Sequence, residues 1–201
     1  RAFLRGFWLS PRRYPDFAWA WLTRFLMNLG NALVILYLLY YLKDAVDLTD
    51  NEAENGVFVL TGAYGLCTVL TAVAGGIWSD RLGRRKVFVI VSGLVAAVAL
   101  LLLAFVTTWA GAFAGAVLLG IGFGIYTAVD FAMITQVLPS AAGRGKDLGV
   151  INIANALPQV FAPFLGAFLI ASLGGYGTLY GVAAAVCVLG SVLVTRIRSV
   201  A

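Results

Sequence analysis

The sequence predicts an all-α integral membrane protein with six spanning helices. Of its 201 residues, 62% are hydrophobic and 11% are charged, whereas soluble domains carry about 25% charged residues. A spanning helix needs about 20 mostly apolar residues, and six separate segments meet that requirement. Short turns join these segments and leave no room for a soluble domain between them.

The six apolar segments follow one another from residue 17 to the end of the chain. They are too long and too uniformly apolar for the short alternating strands of a spanning β-barrel, so helix is the expected conformation. The predicted spans are 17–42, 56–78, 87–106, 110–137, 148–173 and 178–195.

The first 16 residues differ in character from the spans, because they mix aromatic residues with arginines. That mixture is typical of a segment at the membrane interface, and a plain disordered linker is the alternative. We therefore interpret residues 1–16 as a cytoplasmic interfacial arm or linker, and residues 17–201 as the transmembrane bundle.

The basic residues of the connections predict the orientation of the bundle. All Lys and Arg residues except Arg24 and Lys43 lie in the N-terminal arm, the second and fourth connections or the C-terminus. These positions fall on one side of the membrane, and the positive-inside rule makes that side cytoplasmic. Both termini are thus predicted to be cytoplasmic. The net charge of +5 therefore reflects the membrane topology. Contact of these basic residues with anionic lipid headgroups is compatible with that interpretation. We expect no nucleic acid partner.

Polar residues within the spans indicate which helices face a solute pathway. A polar side chain is costly in lipid unless it faces protein or water. Spans three and six contain few, so they are predicted to be peripheral. Spans one, two, four and five carry polar residues at helical spacing and are predicted to line the pathway. The predicted solute-binding residues are Asn28, Asn31, Tyr64, Thr68, Tyr126, Asn155 and Gln159.

Two charged residues inside the spans are predicted to form an ion pair. Arg24 lies roughly 10 Å from the cytoplasmic start of span one at the helical rise, and Asp130 lies at a similar depth in span four. An unpaired charge at that depth would be costly. Asp130 could couple transport to a proton, because a buried carboxylate can change its protonation state. A static or gating ion pair is the alternative.

The most specific motif lies between spans two and three and reads Gly76-Ile77-Trp78-Ser79-Asp80-Arg81-Leu82-Gly83-Arg84-Arg85-Lys86. Gly83 suits a tight reversal of the chain, and Gly76 would let a neighbouring helix approach. We expect Asp80 to accept hydrogen bonds from Arg84 and to face the positive N-terminus of span five. The predicted gating residues are Gly76, Asp80, Arg81, Gly83, Arg84, Arg85 and Lys86; an ordinary basic turn is the alternative.

This G-x-x-x-D-R-x-G-R-R-K pattern resembles the signature loop of the major facilitator superfamily of secondary transporters. In that family the loop lies in the cytoplasm and joins the second and third helix of each six-helix half. The resemblance covers nearly the whole chain and implies one half, the C-terminal one, of a twelve-helix carrier. Residues 17–41, 122–139 and 152–163 look most like carriers near the glycoside–pentoside–hexuronide cation symporters, which move sugars with protons or sodium. Span two lacks a clear sodium-site acid pattern, which argues against sodium.

The expected function is therefore secondary active or facilitative transport of a small, sugar-like polar solute by alternating access, coupled to protons. We expect a multi-pass protein of a bacterial plasma membrane that contacts lipid, without a cofactor or metal. Alternating access needs a partner, so we expect a missing N-terminal half, given the linker-like arm and the absent Met, or a second copy.

Three other functions compete with solute uptake. The first is drug or metabolite efflux by a carrier of the same fold, and the second is a non-transporting membrane scaffold subunit. A membrane enzyme is disfavoured, because the chain contains no His and no paired carboxylates within the spans.

Overall fold

A computed structural model of the chain describes residues 14–137 and 144–197. These residues form six long helices and a closing 3₁₀ turn, Val194–Arg196. The helices are α1 (Pro15–Asp44), α2 (Asp50–Leu82), α3 (Arg85–Phe105), α4 (Trp109–Val137), α5 (Arg144–Ser172) and α6 (Gly175–Leu193). Each is long and apolar enough to cross a membrane. The predicted all-α membrane fold with six spans is therefore confirmed.

Local sequence signals determine where the helices begin and end. Pro15 opens α1, where its missing N–H group costs nothing. Thr49 precedes α2 and its backbone N–H donates to the Glu52 carboxylate at 3.0 Å, which is half of a capping box. This cap explains why α2 starts several residues before the predicted span. Gly83 ends α2 with a positive φ of 64°, which confirms the predicted tight reversal.

The helices pack in an order that leaves two of them on the flanks. α4 packs against α2 and α3, α3 against α6, α6 against α1, and α1 against α5. Most of α2 and much of α5 are consequently uncovered within these six helices. α3 and α6 are better covered, although α3 keeps a stripe of exposed apolar residues: Val87, Val91, Leu94, Val98 and Leu101. The lipid-facing position of α3 and α6 stays a prediction.

Small residues allow α2 and α4 to pack closely. A Cβ atom added at Gly120 would lie 2.5 Å from the carbonyl oxygen of Tyr64, so the two backbones nearly touch there. At Gly75 an added Cβ would lie 3.2 Å from the Cα atom of Ile125. Gly76 also faces α4, although a Cβ there would make only an ordinary 3.7 Å contact with Ala128, so the approach is tighter at Gly75.

We predict that Gly120→Ala destabilises the bundle, whereas Gly62→Ala does not. The new methyl group at position 120 would overlap the α2 backbone, and overpacking of this kind costs about 1–3 kcal/mol. Gly62 has open space around it, so alanine there should be neutral or slightly stabilising. Thermal unfolding of the two variants in the same detergent measures the difference, and equal melting temperatures would contradict the packing argument.

Candidate functional site

An ion pair between α1 and α4 is the most buried charged feature of the described residues. The Arg24 Nε atom lies 3.1 Å from Asp130 Oδ2, and the two side chains are 14% and 1% exposed. The pairing agrees with the expectation from sequence, because a lone charge at this depth would be strongly unfavourable. The pair connects two helices that otherwise touch little.

The ion pair has a phenol beside it. Tyr126 lies one turn before Asp130 on α4, and its hydroxyl interacts with the Asp130 carboxylate. Elsewhere on α1, Thr23 Oγ1 is buried and has no hydrogen-bond partner in the described part of the chain. Such groups are rare in folded proteins and costly, so each calls for an explanation. Tyr126 is 1% exposed and therefore lies inside the bundle, whereas a solute-binding side chain should reach an open face.

A chain of amide groups connects α1 to α5 near the middle of both helices. Asn28 Nδ2 donates to Asn155 Oδ1 at 3.1 Å, and Asn155 Nδ2 donates to Asn152 Oδ1 at 3.3 Å. Asn28 Nδ2 also donates to the Arg24 carbonyl at 2.9 Å, which places the amides next to the ion pair. Gln159 follows one turn after Asn155 on α5 and is exposed.

A second polar link connects α1 to α2 at a similar height. The Tyr64 hydroxyl donates to Asn31 Oδ1 at 3.1 Å. The Thr68 hydroxyl donates to the Tyr64 carbonyl at 2.8 Å, so it bonds to the backbone of its own helix, as threonine in a span often does. The structure thus brings Asn28, Asn31, Tyr64 and Asn155 onto one strip centred on α1, and their binding of a solute stays a prediction.

The turn between α2 and α3 is held by Arg85. Its Nη2 atom donates to Asp80 Oδ1 at 3.2 Å, and its Nη1 atom donates to the Ala132 carbonyl at 3.0 Å. The predicted partner of Asp80, Arg84, is therefore wrong. Arg84 precedes α3 and is exposed, whereas Arg85 begins the helix and reaches both α2 and α4.

The other basic residues of this turn differ in exposure. Arg81 is exposed and Lys86 is half-buried, and their gating role stays a prediction. The segment 138–143 before α5 lies outside the described residues, as do residues 1–13 of the predicted arm. The contact of Asp80 with the start of α5 stays a prediction. Sequence reasoning missed the Arg85–Ala132 bond, because no pattern in the chain marks which backbone carbonyl an arginine will reach.

The Major Facilitator Superfamily profile matches residues 20–200. The chain belongs to that superfamily and is a multi-pass integral membrane protein. A search of curated proteins finds no match.

Solved structures show the same fold. A peptide transporter POT in complex with sulfate has a TM-score of 0.79 at 18% identity, over 91% of this chain and 37% of that one. The human organic anion transporter MFSD10 (TETRAN) has a TM-score of 0.73 at 21% identity, over 94% and 48%. The chain therefore spans less than half the length of these transporters. The glycoside–pentoside–hexuronide subgroup is not identified by these matches and stays a prediction.

We predict that Arg24 and Asp130 are energetically coupled in stability. Asp130→Asn or Arg24→Gln alone leaves one buried charge without its partner, which typically costs about 3–5 kcal/mol. The double variant removes both charges and should lose less than the sum of the single losses. A double-mutant cycle on thermal unfolding in detergent measures the coupling; additive losses would show that the two side chains do not interact.

Proposed function

We propose that this chain forms six helices of a secondary transporter that moves a small polar solute by alternating access. The observation that carries the proposal is the strip of amide and phenol groups at mid-height of α1. Asn28 and Asn31 lie at the centre of that helix and bond to Asn155 on α5 and Tyr64 on α2. Polar groups in the middle of a membrane are expensive, and in transporters they mark the solute site.

The chemistry of this strip favours a solute that forms several hydrogen bonds. Amide and phenol groups both donate and accept hydrogen bonds, as a sugar-like hydroxylated solute requires. Gln159 adds an exposed amide on α5. An efflux carrier of the same fold would be expected to offer a more apolar and aromatic site. We therefore prefer a polar solute, with efflux as the alternative.

We propose that the end of the bundle with the α2–α3 turn faces the cytoplasm. That end also carries the start of α1 and the end of α6, since six spans bring both termini to one side. The excess of Lys and Arg in its connections supports this orientation under the positive-inside rule. A bacterial plasma membrane stays a prediction for the location.

We propose that Asp130 is the group through which a proton drives transport. Its Oδ2 atom pairs with Arg24, and the Tyr126 hydroxyl also interacts with the carboxylate. Protonation of the carboxylate would neutralise it and free Arg24, which gives α1 and α4 two alternative arrangements. A static ion pair is the alternative, and it predicts transport without dependence on the proton gradient.

We further propose that the turn held by Arg85 closes the cytoplasmic end. Arg85 holds the carbonyl of Ala132, only half a turn after Asp130 on α4. The ion pair and the turn therefore act on one short stretch of the same helix. Opening of this end would have to break the Arg85 hydrogen bonds. These hydrogen bonds therefore stabilise the closed state.

The remaining partners follow from the length of similar structures. The solved transporters are more than twice as long as the part of them that this chain matches. We propose that a second six-helix unit completes the carrier, either from the same polypeptide or from a second copy. A membrane scaffold would be favoured instead if no solute or gradient elicits uptake and a stable partner co-purifies.

The proposal is tested by uptake into proteoliposomes that contain the full polypeptide carrying this chain. Sugars, dipeptides and organic anions are offered in turn, with and without an inward proton gradient. Asn28→Ala and Asn155→Ala should each lower uptake roughly two- to tenfold, because each removes a hydrogen bond. Asn55→Ala, an exposed amide near the start of α2, should leave uptake unchanged. Equal loss in all three variants would contradict a solute site on α1.

Proton coupling has a separate readout in the same vesicles. Asp130→Asn should abolish the stimulation of uptake by an imposed proton gradient, because the amide cannot change its protonation state. Glu54→Gln, at an exposed acid of α2, is the matched control and should retain the stimulation. Stimulation that survives in Asp130→Asn would show that the ion pair is static.

The turn is tested by comparing its two neighbouring arginines. Arg85→Gln removes the bonds to Asp80 and Ala132 and should slow uptake by about tenfold or more, since the closed state loses charge-assisted hydrogen bonds. Arg84→Gln removes a similar positive charge that makes no such bond and should change uptake less than twofold by comparison. The initial uptake rates of the two variants show which arginine closes the cytoplasmic end. A larger effect of Arg84→Gln would assign the gate to Arg84.

A further inference from the structure

A small apolar cavity lies between four helices, beside the polar strip. α1, α2, α3 and α4 enclose about 30 Å³, in the half of the bundle away from the α2–α3 turn. A water molecule needs about 10–15 Å³ by the same measure, so the cavity has room for a small alkyl group. Its buried walls are entirely aliphatic, from Leu38, Leu60, Leu103, Ala112, Ala116 and Leu119.

The walls of this cavity make it a poor site for water. A buried water needs two to four polar partners, and the aliphatic walls offer none. Only the mouth has polar groups, the hydroxyls of Thr61 and Tyr64. A well-packed core would fill such a space with side chains, because unfilled volume forfeits dispersion contacts. The space is therefore suited to an apolar group that enters from outside.

The mouth of the cavity is continuous with the polar strip. Tyr64 lines the cavity, and its hydroxyl is bonded to Asn31. Ile35, which stands on α1 one turn after Asn31, forms the other side of the mouth and is 49% exposed. A molecule held by Asn31 and Tyr64 would therefore have the cavity immediately beside it.

We infer that the transported solute is amphipathic, with hydrogen-bonding groups held by the polar strip and a short branched alkyl substituent inserted into this cavity. The inference rests on the proposed transport function and narrows its solute class. A plain sugar would leave the cavity empty, whereas an alkyl glycoside or a peptide with a small aliphatic side chain would fill it. Each methylene group buried in this way improves affinity about fourfold.

Matched pairs of probes test the inference on the full polypeptide in detergent. One pair is glucose and isopropyl β-D-glucoside, and the other is glycylglycine and glycylvaline. Each pair adds an isopropyl group. Glycylvaline keeps every hydrogen-bonding group of glycylglycine, whereas the glucoside has an ether oxygen in place of the anomeric hydroxyl of glucose. Binding is measured by titration calorimetry. We expect the isopropyl member of at least one pair to bind at least about tenfold more tightly than its partner.

Three variants locate the isopropyl group. Ala116→Val adds two methyl groups to the cavity wall and should abolish the preference, while the unbranched probe keeps its affinity within about twofold. Ala114→Val makes the same change at an exposed position of α4 and should retain the preference. Ile35→Ala widens the mouth and should shift the preference toward a benzyl glucoside or glycylphenylalanine, which keeps the test decisive if Ala116→Val fails to fold.

Each other outcome overturns the inference in a distinguishable way. Equal binding within a pair would leave the polar solute site intact and show that the cavity is unused or filled by lipid. A preference that survives both Ala116→Val and Ile35→Ala would place the alkyl group elsewhere. If no member of either pair binds, the proposed function fails for these polar solutes, and the inference falls with it.

Discussion

The hydrocarbon core of a membrane offers no hydrogen-bonding partner to a peptide group, so a spanning segment must satisfy its own backbone. This constraint explains why six helices account for nearly all of the described residues. It also explains the treatment of polar side chains within the spans. Thr68 bonds to its own backbone, Asn28 and Asn155 bond to each other, and Arg24 pairs with Asp130. A buried polar atom without such a partner indicates a functional role.

α1 is the helix on which these polar contacts converge. From successive turns it reaches α4 through Arg24, α5 through Asn28 and α2 through Asn31. A movement of α1 would consequently change its contacts with all three neighbouring helices. In the proposed mechanism a proton changes the strength of the ion pair, whereas a solute replaces the amide contacts with its own hydrogen bonds. Both kinds of contact thus bear on one element, so under the proposed mechanism a change in either contact moves α1.

The apolar part of the bundle is organised by close backbone contact rather than by large side chains. α2 and α4 approach at Gly120 and Gly75, where a single methyl group would not fit. Lipid tails are as apolar as leucine, so helices in a membrane associate through tight packing and polar contacts. Against this background, an unfilled aliphatic cavity beside the polar strip is an exception. That contrast is the physical basis for assigning the cavity to a solute.

The sequence by itself determined the six spans, the tight turn at Gly83 and the pairing of two charges at equal depth. Apolar length, turn chemistry and the cost of a lone buried charge are local or one-dimensional constraints, which can be evaluated along the chain. Only the tertiary structure decided that Asp80 bonds to Arg85 rather than Arg84, that the tightest contact with α4 is at Gly75 rather than Gly76, and that Tyr126 is buried. Each of these depends on a helix's rotation about its axis. A shift of one residue turns a side chain by about 100°, and neighbouring helices select among such rotations by packing.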